Sequence, residues 1–244
     1  MGARIAEQRS ELNLPYWQEI DRRLTYALNQ YPHVVFQLIP YGEDTAELRR
    51  CDAGDANAAR IAQYAQARFS ALPNVYWCIS NDREIVADET RPLQGRQVYA
   101  RTIDRLGREM AAREPWGTLL TNHQCRWSGY TFVDAPWSDL ITLEDLDQVG
   151  GAILLEYRDR CAAAGRPVPV VNDEDRYELY RPPAHPRYFF RRLMWASLLS
   201  GGHATYGGLN TFLPYEEGEL NGVRVLAPLT VRMMTSSQMP LPAR

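Results

Sequence analysis

Apolar residues recur at spacings of three and four from the thirteenth position onward. Trp17, Ile20, Leu24 and Leu28 form one stripe, the period of an amphipathic helix. Asn13 stands where a helix cap belongs, and Pro15 lies in the first turn. The stripe ends at Tyr31-Pro32, and residues 33–39 follow as a strand, closed by Pro40-Tyr41-Gly42. The plan then repeats. Ile61, Ala65, Phe69 and Leu72 mark a helix, Pro73-Asn74 stop it, and 75–80 reads as a buried strand running into Asn81-Asp82. A polar loop covers 83–96. Tyr99, Ile103, Leu106 and Met110 give another helix, and 118–122 a strand ending in Asn122-His123. The spacing further predicts strands at 139–143, 168–172 and 203–206 and helices over 152–164 and 186–200, with Gly165 placed to stop the first of these helices. Residues 1–12 carry no clear pattern. Beyond 212 the pattern decays, with 223–231 one further strand candidate that has no evident partner.

Helix followed by strand, at a period of roughly forty residues, argues for a parallel sheet with covering helices. Polar and aromatic residues gather after the strands, while the helix-to-strand turns are short. That asymmetry is the mark of a (β/α) barrel, whose site is built from the βα loops. The competing doubly wound sheet carries a glycine-rich phosphate turn after its first strand, and Pro40-Tyr41-Gly42-Glu43 is not one. A TIM barrel has eight strands, whereas this α/β pattern supplies six and opens on a helix. The expectation is a (β/α)8 barrel missing its first two strands over 13–212, with an N-terminal segment (1–12) and a C-terminal tail (213–244). The fading pattern suggests that the C-terminal end is incomplete as well.

Composition narrows the function classes. A net charge of -3 and a pI near 5.9 leave no electrostatic footprint for nucleic acid or an anionic membrane. No apolar run is long enough to span a bilayer, and the polar stretch 1–12 lacks the apolar core of a signal peptide. Cys51, Cys78, Cys125 and Cys161 lie far apart with no Cys-x-x-Cys pair, which indicates neither zinc nor a disulfide framework. No metal or cofactor is expected. The fourteen Tyr and six Trp are as compatible with a sugar-lined cleft as with an ordinary core.

Two carboxylates stand at predicted strand ends: Asp82 after 75–80, and Glu174 in the charged run after 168–172. Counted with two strands missing, these are the fourth and seventh strands, which face each other across a barrel mouth. Glycoside hydrolysis needs such a pair, one acid to protonate the leaving oxygen and one carboxylate to attack the anomeric carbon or activate water. A separation of about 5–5.5 Å predicts retention of configuration, and about 6.5–9.5 Å inversion. Asn81 could bond a sugar hydroxyl. Arg176 could hold Glu174 ionised through its charge, and Tyr177 or Tyr206 through a hydrogen bond. His123 and His203 could bond substrate or sit as satisfied core histidines. Trp127 and Trp137 could stack on a sugar ring or pin their loop. Asp173, Asp175 and Glu178 read as a solvated charge run.

The segments Asn74-Val75-Tyr76-Trp77-Cys78-Ile79-Ser80-Asn81-Asp82-Arg83, Val170-Val171-Asn172-Asp173-Glu174-Asp175-Arg176-Tyr177-Glu178 and Gly202-His203-Ala204-Thr205-Tyr206-Gly207 resemble the apiosidase-like glycoside-hydrolase TIM barrels. Asn13-Leu14-Pro15-Tyr16-Trp17 is similar to the start of the helix after that family's second strand. The resemblance runs in patches from 13 to 212. It implies a barrel that cleaves glycosidic bonds, with an aspartate after strand four as acid/base and a glutamate after strand seven as nucleophile. Those roles fall on Asp82 and Glu174. The chain departs from the family in lacking paired glycines before Asp82. The resulting expectation is a retaining glycoside hydrolase acting on carbohydrate. The alternative is a non-catalytic carbohydrate-binding or structural barrel. A nucleotide-dependent enzyme is disfavoured because no phosphate loop is present.

Overall fold

A computed structural model of the chain describes residues 4–5, 8–42, 45–125, 129–144, 151–177 and 182–205. The chain divides into two compact units, Met1–Leu140 and Ile141–Arg244.

The first unit opens on a short antiparallel pair, β1 (Arg4–Ile5) and β2 (Gln8–Leu12), in a stretch where the sequence has no pattern. Helix α1 (Leu14–Gln30) starts where the pattern puts it: the Asn13 side chain accepts the Tyr16 N–H at 3.4 Å, with Pro15 in the first turn. Its buried stripe is anchored by Trp17, whose ring lies 5.1 Å from that of Tyr64 and 6.1 Å from that of Phe69 on α3. Strand β3 (Phe36–Leu38) is shorter than the predicted 33–39 because Val34 and Val35 lie exposed. Two helices follow, α2 (Thr45–Asp52) and α3 (Ala56–Phe69), of which the apolar period predicts only the second. Asp55 caps α3 by accepting the Asn57 N–H at 2.8 Å.

Asn74 turns the chain into β4 (Val75–Cys78) at φ 57°, a left-handed conformation that asparagine tolerates better than most residues. The loop 83–96 is not irregular throughout: β5 (Glu84–Val86) pairs in parallel with β6 (Gln97–Tyr99). Helix α4 (Ala100–Arg113) buries Ile103, Leu106 and Met110 and packs beside α3. Strand β7 (Leu120–Thr121) completes a parallel sheet in the order β3-β4-β7.

In the second unit, β8 (Ile141–Glu144), β9 (Val170–Glu174) and β10 (His203–Ala204) form a parallel sheet in the order β10-β9-β8. Helices α5 (Ala152–Ala163) and α6 (Pro186–Leu199) connect them, and Gly165 ends the first of these helices at φ 71°. Phe189, Phe190 and Leu193 of α6 form a core cluster against which Ala204 of β10 packs. The turn between α6 and β10 needs Gly202, because a Cβ there would stand 2.8 Å from the Val170 carbonyl oxygen. Strand β9 runs two residues further than 168–172 predicts at its C-terminal end, which makes Glu174 its last residue. The strand candidate 223–231 and the tail 213–244 lie outside the described residues.

Within each unit, strand order follows chain order, and each sheet is small. Among the described residues no helix is long and apolar enough to cross a membrane.

Candidate active site

The C-terminal end of β4 carries the first of the two carboxylates. Beyond Cys78 the chain is held from both sides. On the β3 side, the Tyr41 N–H donates to the Ile79 carbonyl at 3.4 Å and the Asn81 N–H to that of Gly42 at 3.2 Å. On the β7 side, the Ile79 N–H donates to the Thr121 carbonyl at 2.9 Å, the His123 N–H to that of Ser80 at 3.1 Å, and the Cys125 N–H to that of Arg83 at 2.9 Å. Ser80 is further fixed by Asn122, whose Oδ1 accepts its backbone N–H at 3.1 Å and its hydroxyl at 2.7 Å.

Asp82 sits inside this brace at φ 53°. A non-glycine residue in the left-handed region persists where its surroundings over-determine it, and such positions cluster at functional sites. Its backbone N–H donates to Nδ1 of His123 at 3.3 Å. That bond leaves the proton of a neutral imidazole on Nε2. One carboxylate oxygen, Oδ1, accepts the Cys125 thiol at 3.0 Å. The other, Oδ2, is ion-paired with Arg96, which the β5–β6 excursion brings back to the end of β4. The Asp82 side chain is 20% exposed and that of Arg96 56%. Arg83 is buried beside it, its Nε donating to the Asn81 carbonyl at 2.7 Å and its guanidinium also bonding Thr45.

Beneath this segment a buried hydroxyl network stiffens β7. Tyr130 Oη lies 2.7 Å from the Ser138 hydroxyl and 3.2 Å from that of Thr121. Burial pushes the Tyr130 phenol up to about 12, and the two hydroxyls only partly oppose it.

In the second unit, Glu174 closes β9, half-buried, and Glu144 at the end of β8 is its register partner. Asp175 follows and is only 4% exposed. Its Oδ2 accepts the Asn172 carboxamide at 2.9 Å, and its Oδ1 the Arg176 N–H at 2.8 Å. The solvated reading of Asp175 is thereby corrected: the carboxylate ties the strand end to the residues beyond it. Arg176 and Tyr177 are half-buried next to it. His203 is exposed at the first position of β10, opposite Val171.

Of the residues singled out in the sequence, Asn81, Asp82 and His123 come together in the first unit. Glu174, Arg176, Tyr177 and His203 belong to the second. Trp137 does not join the first group. It is buried, with Nε1 donating to Asp104 at 2.9 Å and its ring 5.1 Å from that of Phe132. It pins the aromatic loop to α4, and the stacking alternative is dropped for it. Trp127 and Tyr206 lie outside the described residues. Sequence reasoning missed Cys125 and Arg96, since neither belongs to a spacing motif. All four cysteines are buried free thiols.

The family model for the apiosidase-like catalytic domain matches residues 3–225. Among solved structures, the fold is similar to that of a candidate glycoside hydrolase from Bacteroides vulgatus, with a TM-score of 0.61 at 18% identity over 91% of this chain and 42% of that one. It is also similar to a glycoside hydrolase family 5 protein from the same organism, with a TM-score of 0.57 at 18% identity over 80% of this chain and 44% of that one. A third likeness is to an endo-1,4-beta-D-mannanase from Thermotoga petrophila, with a TM-score of 0.55 at 12% identity over 77% and 68% of the two chains. The chain spans less than half the length of the two Bacteroides proteins. No curated protein matches it.

Proposed function

Since the chain belongs to the apiosidase-like catalytic-domain family, we propose that it forms part of a (β/α)8-barrel glycoside hydrolase that cleaves O-glycosidic bonds with retention, using Glu174 and Asp82. The observation that carries this reading is Asp82 itself, a half-buried carboxylate in a left-handed conformation at the C-terminal end of a parallel strand. Glu174 ends another parallel strand at the same, C-terminal end. Barrel enzymes build their sites at those ends, and in both units strand order follows chain order as a barrel requires.

In the first step, protonated Asp82 gives its proton to the glycosidic oxygen as Glu174 attacks the anomeric carbon. The bond to the leaving group breaks and a glycosyl ester forms on Glu174. In the second, Asp82, now a carboxylate, takes a proton from water as that water displaces Glu174. In the free protein Arg96 occupies Oδ2 of Asp82. The exposure of Arg96 lets it swing aside as substrate arrives, which frees Oδ2 to carry the proton. Asn81, His123, Arg176, Tyr177 and His203 are assigned to binding the sugar substrate. The same assignment extends to Trp127 and Tyr206. No cofactor enters either step, and the substrate is a carbohydrate.

The test is azide rescue on aryl glycosides with the full chain. Glu174→Ala should be inactive alone and, with azide, yield a glycosyl azide of inverted configuration. Asp82→Ala should lose about 10²–10⁴-fold on poor leaving groups and yield a glycosyl azide of retained configuration. Undiminished turnover in Glu174→Ala, or the opposite azide stereochemistry, removes the assignment.

A further inference from the structure

The two oxygens of Asp82 are treated differently by the fold. Oδ1 meets the buried thiol of Cys125, and Oδ2 meets the exposed guanidinium of Arg96. Cys125 is 3% exposed. Its backbone is locked in turn, because its N–H donates to the Arg83 carbonyl at 2.9 Å and Gln124 forms a parallel bridge with Arg83. His123, two residues before Cys125, holds the Asp82 main chain through its Nδ1. The carboxylate thus has one oxygen fixed inward and one facing outward, and the backbone on either side of it is bonded to the segment after β7 that carries the thiol.

We infer that Cys125 is a positioning residue for Asp82, and that its thiol holds Oδ1 so that proton transfer to substrate runs through Oδ2. The inference rests on the assignment of Asp82 as the acid/base. A thiol is a weak donor. It can orient a carboxyl group that alternates between protonated and ionised forms without binding either form tightly. A hydroxyl in its place preserves the direction of the bond, and a methyl group removes it.

Two measurements test this on the full chain. The first is infrared and independent of turnover. The S–H stretch lost in Cys125→Ser identifies the Cys125 band, and Asp82→Ala should shift that band to higher frequency as its acceptor disappears. An unmoved band overturns the inference. The second compares phenyl with 2,4-dinitrophenyl glycosides of the sugar on which the parent chain is most active. A dinitrophenolate leaves without an acid, so a misplaced acid harms only the phenyl substrate. Cys125→Ala should lose about ten- to a hundredfold in kcat/KM on the phenyl glycoside and stay within about twofold on the dinitrophenyl one, with Cys125→Ser close to the parent on both. An equal loss on both substrates marks a merely structural residue and overturns the inference. Asp82→Ala separates the two ideas. If it discriminates between leaving groups and Cys125→Ala does not, the positioning role falls and the acid/base assignment stands. If Asp82→Ala shows no discrimination, both fall.

Discussion

Asn122 carries no charge, yet two donors of Ser80 depend on its one carboxamide oxygen, and both residues are fully buried. Asn122→Ala leaves the Ser80 N–H and hydroxyl to find other acceptors in the interior. The loss of a partner for a buried donor costs about 1–3 kcal/mol, so a lower urea midpoint at unchanged slope is expected; an unchanged midpoint counts against the brace described for Asp82. Tyr130 gives a second prediction at this scale. Its folded pKa, about 12, lies above the ordinary phenol value. Its contribution is therefore complete below about pH 10, the ordinary tyrosine value, and is lost as pH rises from there through the folded value, because the unfolded chain releases its proton first. Tyr130→Phe should be less stable than the parent at pH 8 and should narrow that gap at about pH 11, as read from denaturant midpoints. A constant gap rejects the buried-phenol account. Single residues were unevenly legible in the sequence. Asp82 and Glu174 could be singled out because each follows shortly after an apolar run. Cys125 could not, since its contact with Asp82 arises only where two strand ends meet. Asp175 was misread because a run of charges looks solvated until one of them turns inward to Asn172.

Helix α4 shows how an element is fixed by what packs on it. Gly107 lies mid-helix, where alanine is ordinarily the better residue by about 1 kcal/mol. A Cβ on Gly107, however, would stand 2.4 Å from two ring carbons of Trp137. Trp137 cannot easily retreat, because its Nε1 is bonded to Asp104 one turn earlier on the same helix. Gly107→Ala is therefore expected to destabilise by about 1–3 kcal/mol, the range for overpacking, opposite in sign to the helix-propensity effect. Thermal unfolding decides between them, and a raised midpoint would show that the ring can move. Helices α1, α3 and α4 were legible because their apolar period survives several turns, while α5 and α6 were bounded by the glycines that end them. Helix α2 was not, since its eight residues are mostly polar or charged and span barely two turns. Strands β5 and β6 escaped for a related reason: three residues each, in and just after a polar loop, are too few to establish alternation, and Tyr99 at the end of β6 reads as part of the helix stripe that follows. Strand ends shifted wherever hydrophobicity and burial part company, as at Val34 and Val35.

At the scale of the molecule, the sequence made the parallel α/β plan and the family legible, because the helix–strand alternation repeats and the strand ends keep their polar residues. The division at Leu140 was not legible, since that alternation continues across it. Charge also acts at this scale. In the first unit several carboxylates are held low. Arg22 and Arg23 hold Glu19 at about 2 through their hydrogen bonds. Burial pushes Asp52 up, but Arg101 and Thr102 outweigh it and leave the carboxyl below its usual value. Arg50 lowers Asp55, and the Thr90 hydroxyl and N–H lower Asp88. A depressed carboxylate contributes stability above its unfolded value and loses it as pH falls through the folded one. The ion pairs of Glu19, Asp52 and Asp55 are exposed or only partly buried, each worth little alone and weakened by salt. Acid also strips the negative charge that balances 27 arginine side chains, and the remaining positive charges repel. Both effects have the same sign and the same screening. In low salt the unfolding temperature should therefore fall between about pH 5 and pH 2.5, and about 1 M sodium chloride, with its Debye length of about 3 Å, should flatten that fall. Hydrogen exchange read by mass spectrometry should show the opening in peptides of α1 to α4, where these carboxylates lie. A pH dependence that persists undiminished in high salt points instead to a buried group, and then the acid sensitivity belongs to the interior and not to these pairs.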